Sequence, residues 1–94
     1  MSRLDEIRSE LDAIDREIVA LFEKRMKLSR SVAEYKLANG MQVLDQSREA
    51  AVLTSRAAML KDAYWSESVC TLYETIMACS RGEQEKCIRE AQMK

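Results

Sequence analysis

The sequence predicts an all-α fold with three helices per chain, one of them very long, that assembles as a dimer. Its 94 residues include no proline and only two glycines, few are aromatic, and one third are charged. This composition is typical of helical proteins. Apolar residues recur at intervals of three and four along most of the chain, which is the spacing of a helix face. The first of these periodic segments is too long for a chain of this size to cover by itself.

The first helix is predicted over about residues 2–38, where Asn39-Gly40 provides a C-terminal cap. Its apolar positions form a continuous seam made of Leu4, Ile7, Leu11, Ile14, Ile18, Leu21, Leu28, Val32 and Tyr35. One seam position holds Arg25 instead. Because an unpaired buried charge is costly, this arginine must be paired or must meet a ligand.

The length of this helix predicts the dimer. About 35 residues span ~50 Å at 1.5 Å per residue. A compact chain of this size has a diameter of only roughly 30 Å. Much of the seam would stay uncovered in a monomer, and two long helices that cover each other are the economical solution. A plain long coiled coil is the rival arrangement.

Two further helices complete a single domain over residues 1–94. A short loop over 41–44 leads to a second helix, about 46–61, which either Asp45 or Ser47 caps. Residues 62–65 form the next connection. Ser66 is the expected N-cap of the third helix, which runs to about residue 91.

Charge and composition exclude several classes of function. The net charge of −1 gives no reason to expect a nucleic acid or a membrane surface as partner. There is no apolar run of 18 residues, and the N-terminal segment is charged, so we expect a cytoplasmic protein. Histidine is absent, and the three cysteines have neither metal-site spacing nor CxxC pairing. We expect reduced thiols packed as small hydrophobic groups.

Polar residues interrupt the apolar stripes at a few related places. Ser80 and Gln84 lie four residues apart within the stripe of the third helix. Lys36 lies eleven residues after Arg25, so the two cations share a face of the first helix, ~16 Å apart. Arg8 is ~42 Å from Lys36 along the same helix. It can reach their site only from an antiparallel partner helix.

The start of the second helix adds a further polar group of residues. Asp45, Arg48 and Glu49 occupy its cap and first turn. The free backbone N–H groups of a helix N-terminus favour ligands that are anionic or carry a hydroxyl.

Each of these residues also has a structural alternative. Arg25 could set the register of a dimer or pair with a glutamate across it. Lys36 could complement the helix dipole, and Asp45 and Glu49 could be ordinary capping residues. The two polar residues of the third helix could have local packing partners. Taken together, however, two cations with hydroxyl and amide groups in apolar stripes indicate a dry pocket for a small polyanion.

These residues, in this order and helical context, resemble the all-helical (AroQ-class) chorismate mutases. The resemblance covers roughly Leu4 to Ile88 and is carried by LDEIRSELDAIDREIVALFEKRMKLSRSVAEYK, VLDQSRE and LYETIMACSRGEQ. The family's substrate-binding residues fall on Arg8, Arg25, Lys36, Asp45, Arg48, Glu49, Ser80 and Gln84. The resemblance implies an intertwined homodimeric helical bundle with two active sites, each of which takes Arg8 from the partner chain.

The resemblance also implies the reaction, a one-molecule rearrangement of chorismate to prephenate in phenylalanine and tyrosine biosynthesis, without metal or cofactor. Lys36 and Gln84 would donate to the ether oxygen that breaks. Arg25 and the second chain's Arg8 would hold the two carboxylates with help from Ser80. Glu49 and the backbone of residue 45 would hold the substrate hydroxyl, and residue 48 would support the charge balance. No dehydratase or dehydrogenase segment follows, so we expect a free-standing mutase.

Two rival functions stay open. An isochorismate-pyruvate lyase shares the fold and much of the pocket, although Asp45 and Glu49 at the hydroxyl-binding turn favour the mutase. A non-catalytic helical dimerisation module would explain the seam but not Ser80 and Gln84. The chain departs from the family at Arg81, where some relatives carry an apolar residue, and in the loop over 41–43, which often holds a proline in the family.

Overall fold

The computed structural model describes residues 2–93 and contains three α-helices in this range. They are α1 (Arg3–Ala38), α2 (Gln46–Ala58) and α3 (Ser66–Gln92), with a 3₁₀ turn over Ala63–Trp65. No β-strand occurs in the described range, which confirms an all-α fold with one very long helix. Among these residues no helix combines the length and apolar character that crossing a bilayer requires.

Both ends of α1 are capped by local sequence. At the start, Ser2 Oγ accepts the backbone N–H of Asp5 while the Asp5 carboxylate accepts the N–H of Ser2, so Ser2 is the cap rather than the first helical residue. At the end, Asn39 is the C-cap and Gly40 takes a φ of +63°. The N–H of Met41 donates to Lys36 O at 2.8 Å, and the N–H of Gly40 donates to Leu37 O at 3.4 Å. These are the two bonds of a Schellman motif, and they confirm the predicted end of the helix.

The second connection differs from the prediction at two points. Asp45 caps α2, as one of the two alternatives had it, but the helix ends at Ala58 rather than near residue 61. Ser66 is not the N-cap of α3, because it already has helical backbone angles and Trp65 precedes it as the cap. The physical reason is Asp62, whose carboxylate accepts the N–H of Tyr64 and starts the 3₁₀ turn that leads directly into α3.

Helix α3 contacts both other helices, whereas α1 and α2 do not pack against each other in the described part of the chain. The buried apolar residues are few and are Ala33, Val52, Met77 and Cys87. Three polar residues are buried among them, namely Ser29, Ser80 and Gln84. All three cysteines are free thiols. The expectation that they pack as small hydrophobic groups is confirmed for Cys87 but wrong for Cys79, which is exposed because it lies on the outer face of α3.

A surface ion-pair network joins α1 to α3. The guanidinium of Arg30 donates to Glu83 at 2.6 Å and to Glu90 at 2.7 Å. These two hydrogen bonds raise the pKa of Arg30 above its usual range, Glu90 contributing most. The network is partly exposed to water, so its main effect is to align the two helices rather than to add much stability.

The N-terminal part of α1 is largely exposed. Every residue from 2 to 24 is exposed, and the apolar seam residues Leu21 and Leu28 have 62% and 64% of their surface accessible. The molecule measures 55 × 29 × 14 Å and its radius of gyration is 16.9 Å. A compact chain of this length would have about 12 Å. The seam is thus an apolar surface without a partner inside the described chain.

We predict that Gly40→Ala lowers the free energy of unfolding by about 1–2 kcal/mol, because an L side chain is strained at positive φ. No atom lies within 4 Å of the added Cβ, so the loss would come from the backbone alone. Gly82→Ala is the matched control. It lies inside α3 with equally open space around its Cβ, and we expect it to add about 0.5–1 kcal/mol. Urea denaturation at one protein concentration measures both, and equal stability of Gly40→Ala and the parent would contradict the prediction.

Candidate active site

An open cavity of about 730 Å³ lies where α1, α3 and the start of α2 meet. Its size is within the range of small-molecule pockets. Seven of the eight residues predicted from the sequence line it, namely Arg25, Lys36, Asp45, Arg48, Glu49, Ser80 and Gln84. Arg8 does not, because it lies on the exposed N-terminal part of α1, ~42 Å from Lys36 along the helix axis. The structure thus brings together the intrachain set, and the binding role of each member stays a prediction.

Lys36 is held at the cavity wall by two neutral acceptors. Its Nζ donates to the carbonyl oxygen of Val43 at 2.6 Å and to Oε1 of Gln84 at 3.1 Å. The Schellman motif at Gly40 turns the chain back so that Val43 can reach the ammonium group. An ammonium group has three N–H donors, so one remains for a ligand in the cavity.

The hydrogen bonds continue from Gln84 into the contact between α1 and α3. Gln84 Nε2 donates to Ser80 Oγ at 3.1 Å, and Ser80 Oγ lies 2.7 Å from Ser29 Oγ. Ser29 Oγ donates to the carbonyl oxygen of Arg25 at 3.1 Å, which uses its only proton. Ser80 is therefore the donor to Ser29. Because Lys36 can only donate, the amide of Gln84 must present Oε1 to Lys36 and Nε2 to Ser80.

Sequence reasoning missed Ser29. It lies one residue after the seam position Leu28, on the face of α1 that turns to α3, and only 5% of its surface is accessible. The signal that could have found it is the pair Ser29 and Ala33, four residues apart. Two small residues at this spacing allow another helix to approach closely.

The guanidinium group of Arg25 is half-buried beside an aromatic ring. It lies 6.0 Å from the ring centroid of Tyr73, and Arg56 lies 5.8 Å from the same ring. No ion pair within residues 2–93 involves Arg25. The ring orients the arginine through a cation–π contact without neutralising it. The alternative that it pairs with a glutamate across a dimer stays a prediction.

The start of α2 supplies one fixed cap and one bound carboxylate. Asp45 Oδ1 accepts the backbone N–H of Arg48 at 2.9 Å, so the side chain of Asp45 is an ordinary N-cap. Glu49 is more than a first-turn acid, because Nη1 of Arg81 donates to its two carboxylate oxygens at 2.5 and 2.6 Å. Arg81, noted in the sequence only as a departure, thus lies in the cavity wall and holds Glu49.

The cavity carries an excess of positive charge. Four cationic side chains and two carboxylates line it, and one carboxylate is paired with Arg81. The remaining cations have no carboxylate within salt-bridge distance in the described range, and these are Arg25, Lys36 and Arg48. Most of the remaining wall is apolar, and its residues are Leu28, Val32, Tyr35, Met41, Val43, Val52 and Met77, beside the serines Ser29 and Ser31. Such a cavity suits a small dianion with an apolar body.

Comparisons with known proteins identify a matching family and a relative. The family model described as chorismate mutase type II matches residues 7–85, which is most of the chain. The T-protein of Haemophilus influenzae is 39% identical over 56 residues, 60% of this chain. This chain spans only about 15% of the length of that relative.

Proposed function

This chain belongs to the type II chorismate mutase family, and we propose that it rearranges chorismate to prephenate, a step of aromatic amino-acid biosynthesis, in the cavity between α1, α2 and α3. The observation that carries the proposal is the hydrogen-bonded pair of Lys36 and Gln84 in a cationic cavity. A cytoplasmic location is part of the same proposal.

The reaction makes two physical demands. A carbon–oxygen bond of chorismate breaks while a carbon–carbon bond forms within the same molecule, so the enzyme must hold a flexible dianion in its reactive shape. Negative charge grows on the ether oxygen as its bond breaks, and preorganised donors lower the barrier there. A side-chain nucleophile or a general base has no part in such a rearrangement.

Lys36 and Gln84 are the donors that we assign to the ether oxygen. Each has one N–H left after its contacts within the chain, because Lys36 serves two acceptors and Gln84 Nε2 serves Ser80. Their mutual hydrogen bond holds both groups in place before the substrate arrives. Removing one such donor costs about 2.7–4 kcal/mol in the barrier.

The rest of the cavity would hold the substrate's outer groups. Arg25 and Arg8 of the partner subunit would bind the two carboxylates, with help from Ser80. Glu49 and the backbone of Asp45 would hold the substrate hydroxyl. A carboxylate has about four lone-pair positions, so Glu49 can accept this hydroxyl while it keeps Arg81. The positive potential of Arg48, at the N-terminal turn of α2, would support the binding of an anion.

A homodimer would complete the site. The seam of α1 is exposed from Leu4 to Tyr35, and a second copy offers the matching apolar surface. If two copies of the Arg3–Ala38 helix pair antiparallel and overlap end to end, each Arg8 lies opposite Ala33 of the other chain. Ala33 lies between Arg25 and Lys36 on the helix. The same pairing that covers the seam would thus bring the eighth predicted residue to the cavity.

We expect the purified protein to convert chorismate to prephenate without added cofactor, because the proposed chemistry uses only donors of the chain. Loss of chorismate absorbance and chromatography of the product measure it. Isochorismate, assayed in parallel, tests the lyase, which would release pyruvate instead. The absence of chorismate turnover by well-folded dimer at high enzyme concentration would exclude the mutase, and would leave the dimerisation module if isochorismate is inert as well.

A second prediction concerns the pH dependence. The amide of Gln84 does not titrate, so kcat should be nearly constant between about pH 6 and 8, the range in which a histidine would titrate. Gln84→Glu is the informative variant, because a carboxylate has no proton to donate. Its activity should fall as the pH rises through the pKa of the new carboxyl group. A steep loss in the parent protein, or a variant with a flat profile, would contradict the role of Gln84.

A third prediction concerns the sharing of the site. Arg8→Ala and Lys36→Ala chains should each be nearly inactive, and mixing them should restore activity. Half of the dimers are then mixed and each has one intact site, so recovery approaches about one quarter of the parent activity. Refolding each variant alone through the same denaturation cycle is the control. Subunit exchange proven by mass spectrometry without recovery would mean that each site is built from one chain.

A further inference from the structure

We propose that Ser29 is a positioning residue for the reaction, because its hydroxyl holds Ser80 away from its own helix and thereby fixes the amide of Gln84. This inference rests on the proposed function, in which Gln84 donates to the ether oxygen. The family resemblance assigns no role to Ser29.

Four hydroxyl groups in the helices of this chain share a default hydrogen bond within their own helix. Thr54, Thr71 and Thr75 each donate to the carbonyl oxygen four residues earlier, at 3.3, 3.1 and 3.1 Å. Ser29 does the same toward Arg25 at 3.1 Å. This is the local bond that serine and threonine ordinarily make in a helix.

Ser80 departs from this default. Its hydroxyl crosses from α3 to α1 and lies 2.7 Å from Ser29 Oγ. Since the proton of Ser29 goes to Arg25, the proton of Ser80 goes to Ser29. Ser80 Oγ is then oriented to accept from Gln84 Nε2 at 3.1 Å. The acceptor that draws Ser80 across the helix contact is therefore Ser29.

The orientation of Ser80 affects the proposed donors through its hydrogen bond with Gln84. Gln84 is held at both ends of its amide, by Ser80 at Nε2 and by Lys36 at Oε1. Without Ser29, Ser80 would turn to the carbonyl oxygen of Ile76 on its own helix, as the three threonines do on theirs. Gln84 would lose the fixed end of its amide, and its remaining N–H would no longer be aimed at one point in the cavity.

The arrangement also lets Ser80 serve a bound carboxylate. When Ser80 turns its proton to the substrate, Ser29 can turn its own proton from Arg25 O to Ser80 Oγ. Arg25 O loses no essential partner, because within α1 it also accepts the backbone N–H of Ser29. The two Oγ atoms stay hydrogen-bonded in both states.

The test compares Ser29→Ala and Ser29→Cys with the parent. Cysteine keeps nearly the size of serine but is a poor hydrogen-bonding group, so it separates packing from positioning. We expect kcat to fall about tenfold in both variants with KM within about twofold, a smaller loss than the roughly 10²–10³ seen when a donor itself is removed. In the Ser80→Ala background, Ser29→Ala should have no further effect.

Thr54→Ala is the matched control, since it removes an exposed helical hydroxyl with its own local bond. It should leave kcat and KM unchanged. A kcat of both Ser29 variants within twofold of the parent would overturn the proposal, and so would normal activity in Ser29→Cys alone, because packing would then be the cause.

A readout without substrate separates this inference from the proposed function. The side-chain amide signals of Gln84 in a ¹H–¹⁵N spectrum are assigned by their absence in Gln84→Glu. They should move in Ser29→Ala and stay in Thr54→Ala. If the parent protein does not turn over chorismate, the proposed function fails and the catalytic role of Ser29 fails with it. Unmoved signals in Ser29→Ala overturn the positioning itself, whatever the turnover.

Discussion

The contact between α1 and α3 buries polar side chains, and each of them needs a hydrogen-bond partner inside a small core. Only four apolar residues are buried in the described chain, beside three polar ones. A buried polar group without a partner costs about 1–3 kcal/mol, a large share of the stability of a small domain. The chain from Lys36 through Gln84 and Ser80 to Ser29 leaves none of these groups without a partner. The relative position of the two helices, and with it the shape of the cavity, depends on this network.

The network also explains how the cavity keeps its charge. Lys36 is held by a carbonyl oxygen and an amide oxygen, and Arg25 lies beside an aromatic ring. Neutral partners fix both cations without cancelling them, so their potential remains for an incoming anion. Glu49 differs from these cations in having a charged partner. Arg81 neutralises its carboxylate while leaving oxygen lone pairs accessible. Like charges in one cavity repel each other, which is a common cost of a preorganised binding site.

The sequence predicted the structure best where a single local interaction decides the conformation. The Asn39-Gly40 pair predicted the end of α1 because the left-handed conformation at Gly40 is a local requirement. Interrupted apolar stripes led to Arg25, Ser80 and Gln84, because burial and helix period together place a side chain. Helix period added Lys36, and the start of the second helix added the other three predicted residues of the cavity. Prediction failed where local signals compete. Asp62 starts a turn that leads directly into α3, so Ser66, the expected cap of that helix, is already helical. Prediction also failed for Ser29 and Arg81, whose partners are 51 and 32 residues away in sequence, since the crossing of α1 and α3 decides which neighbouring residue faces inward.

The exposed half of α1 has a consequence for how the molecule forms. Every residue from 2 to 24 is exposed, so within one chain mainly local interactions such as the Ser2 cap and the Arg3–Glu6 ion pair hold them in a helix. In proteins, most of the stability of a helix comes from the packing of its apolar face. If a second copy covers this seam, as proposed above, folding and association become a single event. The rate at which native protein appears would then depend on protein concentration, and each unpaired chain would expose an apolar helix face.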